Sequence, residues 1–131
     1  MHNEEHLNLV LILDYSCAIA ECDLQLIEPN SNKKEINATK KRIKNDIKKF
    51  LPAIKKALRN PLYVDKAELF YYMALCYEIL ENKSKVLKCY KEASKRDLKY
   101  IINLASFKRQ NNDKDGALKD LKFALENTSD T

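Results

Sequence analysis

Apolar residues recur along this chain at spacings of three and four, the period of one face of an α-helix. The first run, Leu9, Ile12, Leu13, Cys17, Ala20, Leu24 and Ile27, predicts a helix from about Glu4 to Ile27 with a single apolar stripe. Leu7, Val10, Leu11 and Ile19 widen that stripe, so a helix covered on more than one side is expected. Residues 28–34 then read as a polar loop, because Pro29 and its amide and hydroxyl neighbours stop a helix. Ile43, Ile47, Phe50, Leu51, Ile54 and Leu58 form the stripe of a second helix, from about Asn37 to Arg59. Pro52 falls inside it, which predicts a kink or a break between two shorter helices.

The third helix has the clearest start signal: Asp65 as N-cap, with Glu68 three residues on, as in a capping box. It continues through Leu80. Ser84 is expected to cap a fourth helix, to about Lys95, and Asp97 a fifth, to Gln110. Asn111-Asn112-Asp113 forms the next turn, and a sixth helix runs from Lys114 to Glu126, leaving 128–131 as a tail.

Composition agrees with this all-α reading. The chain has 131 residues with one Gly, three Pro and no Trp, and 45% of it is hydrophobic. One glycine cannot build a phosphate-cradling loop or a family of tight hairpins, and the apolar content excludes a disordered chain. The length fits one domain, 1–131. The N-terminus lacks the basic start of a signal peptide, and the apolar run is interrupted by Asn8, Asp14, Glu21 and Asp23, so no transmembrane segment is expected. The four cysteines form no C-x-x-C pair and read as small buried residues of a reducing setting, so an intracellular, cytoplasmic location is expected.

The net charge of +5 hides an asymmetry. Residues 1–32 carry six acids and no Lys or Arg, while residues 33–66 carry twelve bases and three acids. Lys41, Lys44, Lys48, Lys55, Lys56 and Arg59 lie away from the apolar stripe of the second helix and make a basic face. That face could meet RNA or another anionic surface, or be neutralised by the acidic first helix. It has no interleaved aromatics for stacking on bases.

An internal repeat runs through the second half. Phe70-x2-Met73-Ala74-x2-Tyr77 and Val86-x3-Tyr90-x2-Ala93 superpose, at a shift of 31 residues, on Ile101-x2-Leu104-Ala105-x2-Lys108 and Ala117-x3-Leu121-x2-Ala124. A plain antiparallel bundle with chance alanine spacing would give the same core. The pattern resembles the tetratricopeptide repeat over about residues 67–127, with a period shorter than the usual ~34 and Lys108 in place of an aromatic. Phe50-x3-Ile54-x2-Ala57 echoes the second-helix pattern, making 1–62 a divergent N-terminal helix pair ahead of two repeats in 63–127.

The resemblance implies a short right-handed array of about six helices in antiparallel pairs, and a non-enzymatic interaction module or accessory subunit rather than an enzyme. It implies a protein-binding groove along the first helix of each pair: Glu68, Tyr71, Leu75, Glu78 and Ile79, then Lys99, Ile102, Asn103, Ser106, Arg109 and Gln110. Tyr71 and Leu75 stand where a carboxylate clamp for chaperone tails would need Lys and Asn, so a more apolar peptide or helix segment is expected there. The last pair lacks a polar capping helix, so Phe107, Leu118, Phe123 and Leu125 are expected to form an exposed end face for another protein or a second copy. The alternative function is a basic RNA- or ribosome-associated factor. No cofactor is implied. His2 and His6 could share a helix face, but no third metal ligand accompanies them.

Overall fold

The computed structural model describes residues 8–63 and 65–128. Among these residues the chain forms six α-helices and no strand: α1 (Leu9–Gln25), α2 (Lys33–Arg59), α3 (Lys66–Ile79), α4 (Lys83–Arg96), α5 (Ile101–Gln110) and α6 (Lys114–Glu126). Short polar side chains start most of them by accepting a hydrogen bond from the third backbone N–H of the helix. Asn8, Asn32, Asp65, Asn82 and Asp113 do so for α1, α2, α3, α4 and α6.

Several boundaries shift for the same reason. α2 starts at Lys33, four residues earlier than the expected Asn37, because Asn32 caps it by presenting Oδ1 to Glu35 N–H at 3.1 Å. Asn82, rather than Ser84, caps α4, and the Ser84 hydroxyl donates to the same Asn82 oxygen. Asp97 caps a 3-10 turn, Leu98–Tyr100, and α5 follows directly from it. Glu4, Glu5 and the histidine pair lie outside the described residues.

Pro52 does not break α2, which is continuous for 27 residues. The carbonyl that Pro52 leaves without its helical donor belongs to Lys48, and both residues are exposed, where solvent can reach them. Replacing Pro52 by Ala is therefore expected to stabilise the protein by about 1–2 kcal/mol: the ~3 kcal/mol helix penalty is partly offset by a looser unfolded chain. Denaturant titration reads this; an unchanged midpoint contradicts it.

One apolar cluster runs from Ile12 of α1 through Ile43, Ile47, Ile54, Leu69, Cys76, Val86 and Cys89 to Leu104 and Phe107 of α5. The α3–α4 and α5–α6 pairs pack most extensively, α3 also rests on α2 and α1, and α5 rests on α4. Arg96 lies over Phe70 and Lys85 over Tyr77, so early residues of α3 meet late residues of α4 and the hairpin is antiparallel.

The two hairpin turns repeat the sequence shift of 31. In the first, Glu81 adopts φ 62° and Asn82 N–H bonds Tyr77 O at 2.9 Å. In the second, Asn112 adopts φ 71° and Asp113 N–H bonds Lys108 O at 2.8 Å. Each is the six-to-one closure of a left-handed helix end, followed at once by the cap of the next helix. Where Tyr77 touches α4 in the first hairpin, Lys108 forms a 2.7 Å ion pair with Asp120 in the second, so the charge at this repeat position is satisfied internally. Ala74, Ala93, Ala105 and Ala117 are buried at these contacts and let the helix backbones approach.

Candidate interaction surfaces

The residues expected to share one groove divide between three environments. Ile79 is 4% exposed and belongs to the core stripe that runs from Leu69 to Cys76, seven residues on, and to Ile79, three further. It cannot line a groove. Tyr71 stacks on Tyr100 with ring centroids 5.1 Å apart, and meets Tyr72 and Tyr90 as well. Leu75 is half-buried against the core. Burial, and after it the hydroxyl's donation to Glu78 Oε1 at 2.6 Å, push the Tyr90 phenol up from its ordinary range. The Tyr71–Tyr100 stack ties α3 to the turn before α5, the Tyr90–Glu78 bond ties α4 to α3, and half-buried Glu68 lies on the same helix as Tyr71.

The others face outward from α5. Lys99, Ile102, Arg109 and Gln110 are exposed, and Asn103 and Ser106 are half-buried. Ile102, Ser106 and Arg109 line a cleft of about 230 Å³ with Ala105, Ala117 and Leu121, between α5 and α6. Glu78 and Gln110 meet instead in a hollow of about 300 Å³ at the hairpin turns.

The expected end face also changes membership. Phe107 is 9% exposed, packed on Tyr90 at 6.2 Å, because the spacing from Leu104 turns it inward. Phe123 is exposed, but it lies about 150° around α6 from Leu118 and Leu125 and cannot share a partner with them. Leu118, Leu121 and Leu125 form one stripe, and Ile102 adjoins it across the cleft; Leu121 and Ile102 are the members that sequence patterning missed.

A second uncovered surface lies on α1. The core takes Ile12 and Cys22, with Tyr15, Ala18 and Ile19 packed beside them, and Tyr15 donates to Asp46 of α2 at 2.8 Å. Of the stripe expected to face inward, Ile12 is buried and Leu9 packs on the core, but Cys17, Ala20, Leu24 and Ile27 point away. Val10, Cys17, Ala20, Leu24 and Ile27 are exposed, Leu24 by 66% and Ile27 by 77%. The helix carries two apolar arcs, and the other described residues cover one.

On α2, the basic side chains are only partly neutralised. Lys40 pairs with Asp23 of α1 at 2.6 Å, and Lys44 pairs with Glu81 at the first hairpin turn. The Asp23 carboxylate raises the Lys40 pKa, and Lys44 holds Glu81 below the usual carboxylate range. Lys41, Lys48 and Lys55 are exposed in a row seven residues apart, and Arg59 is exposed beyond them.

A hollow of about 560 Å³ between α1 and the start of α2 is lined by Glu21, Glu28 and Glu35 and, among the described residues, by no cation. Among the described residues no group of three or more His, Cys, Asp or Glu is placed to hold a metal, and no helix is long and apolar enough to cross a membrane.

The cysteines separate by burial. Cys22, Cys76 and Cys89 are buried and Cys17 is exposed, which corrects the expectation that all four are interior. Burial pushes the Cys76 thiol up to about 12 and Cys89 up to about 11, so neither forms an appreciable thiolate at neutral pH. A thiol reagent is therefore expected to label Cys17 alone in the native protein and all four after unfolding. Fast native labelling of Cys76 or Cys89 contradicts this packing.

Comparison of the sequence with protein-family models, with curated proteins and with solved structures yields no match.

Proposed function

We propose that this protein is a non-enzymatic interaction module, a small accessory or scaffold subunit built from tetratricopeptide-like helix hairpins. The observation that carries this reading is the pair of uncovered apolar stripes, one on α1 and one across α5 and α6, at opposite ends of the helix order. Contiguous exposed apolar side chains rimmed by charge mark docking sites for other chains. Helical spacing on both stripes suits an amphipathic helix or apolar segment as the occupant. The hairpin turn that recurs after 31 residues supports the tetratricopeptide-like reading.

Affinity purification of the wild-type chain beside a Leu24→Glu, Leu125→Glu variant tests it, at low and high salt. A partner held through apolar contact survives high salt with the wild type and is lost with the variant. Equal recovery with both proteins, or recovery only at low salt, contradicts the reading.

The outer face of α2 favours a second reading, contact with a nucleic-acid backbone. Lys41, Lys48 and Lys55 stand about 10 Å apart along the helix with no acid between them on that face. If they meet phosphates, changing all three to Gln lowers the slope of log K against log salt for duplex RNA by roughly 2–3, at about 0.7–0.9 per phosphate contact. An unchanged slope removes this reading.

A further inference from the structure

We propose that the occupant of the α5–α6 face is α1 of a second copy, so that the chain associates head to tail. This rests on the interaction-module reading and names its partner. Within the chain, the second helix of each early pair is covered by the first helix of the next: α3 rests on α2, and α5 on α4. Among the described residues, α6 packs chiefly on α5, and its Leu118, Leu121 and Leu125 are exposed. The first described helix, α1, carries a matching surface: an apolar stripe at helical spacing through Val10, Cys17 and Leu24, continued by Ile27 in the turn after the helix, that the other described residues leave exposed.

Charge complements the apolar match. Residues 8–32 carry four acids and no Lys or Arg, whereas residues 98–128 carry six bases against four acids. Asp14 and Glu21 stand on one flank of the α1 stripe, both exposed, about 10 Å apart along the helix. Arg109 lines the α5–α6 cleft, and Lys114 and Lys122 stand exposed beside the Leu118–Leu121–Leu125 stripe. Two acidic α1 stripes would repel in a symmetric pairing, and two basic-rimmed α6 stripes likewise; one of each attracts. An interface between two different patches either closes into a ring or continues as a chain of copies.

The test uses a head variant, Leu24→Glu, and a tail variant carrying Leu118→Glu and Leu125→Glu. All three positions are exposed, so circular dichroism is expected to show unchanged helix content. Sedimentation velocity is then run on the wild type, on each variant alone, and on an equimolar mixture. The wild type is expected to grow past the dimer, or close a ring, as concentration rises. Each variant alone loses self-association about tenfold or more, since a buried carboxylate opposes the contact. The mixture restores a one-to-one dimer and nothing larger, because one intact head meets one intact tail.

A mixture that stays monomeric overturns the proposal. So does a wild-type dimer abolished by one variant and unaffected by the other, the mark of a symmetric interface. A strictly monomeric wild type overturns it too; if a stripe-dependent partner is nevertheless purified, the interaction-module reading stands and only self-docking falls.

Discussion

Replacing Ile54 by Ala is expected to cost about 2–5 kcal/mol of stability, enough to remove much of the margin of a domain this size. Ile54 is fully buried on α2, in the same cluster as Ile47 and Leu69, where α2 meets the first hairpin. Truncation removes three carbons from water-free contact and leaves a cavity that flanking helices cannot close without moving Ile47 or Leu51. Denaturant unfolding followed by far-ultraviolet circular dichroism gives the value. A loss below about 1 kcal/mol would mean that α2 is not a core helix.

The second large effect comes from adding volume. Ala93 of α4 is fully buried with Ala67 of α3 and Tyr100, beneath Phe70 and Tyr71. Ala93→Leu places a branched side chain where two helix backbones and an aromatic stack already meet. The expected cost is about 1–3 kcal/mol or more, with Tyr71 and Tyr100 forced apart. Tyrosine fluorescence reports the broken stack in the folded state, while unfolding reports the cost. Tolerance of Leu at position 93 would show that the close α3–α4 approach is not what the alanine pattern selects.

The contrast between these two sites shows what patterning can resolve. The α2 stripe is legible because a polar arc faces it: Ile43, Ile47, Leu51 and Ile54 have lysines on the far side and no competing apolar arc. The first helix has no such contrast. Its two apolar arcs differ in pattern only slightly, and the inward arc is decided by Tyr15 reaching Asp46 and by Ala18 and Cys22 fitting against neighbours. Periodicity cannot carry that information, since it depends on residues more than thirty positions away.

The repeat behaves similarly. The shift of 31 locates both hairpin turns, because the turn chemistry is local: a left-handed residue at 81 and 112, then a capping side chain at 82 and 113. It does not say which side of each helix stays open. Ile79 and Phe107 are drawn inward by their own spacing to Cys76 and Leu104, and Tyr71 by stacking on Tyr100. What remains accessible is the far side of α5 and α6 and the far side of α1. A basic face on α2 is likewise legible from composition, but its partial neutralisation by Asp23 and Glu81 is not.

Whether those two apolar stripes are covered when the protein works is measured most directly by hydroxyl-radical footprinting, comparing dilute purified protein with protein in native extract. Leu24, Ile27, Leu121 and Leu125 are expected to lose reactivity in the extract, while Leu62, exposed by 83% and on neither stripe, keeps its own. Equal reactivity of all five side chains in both conditions would contradict a docking role for these surfaces.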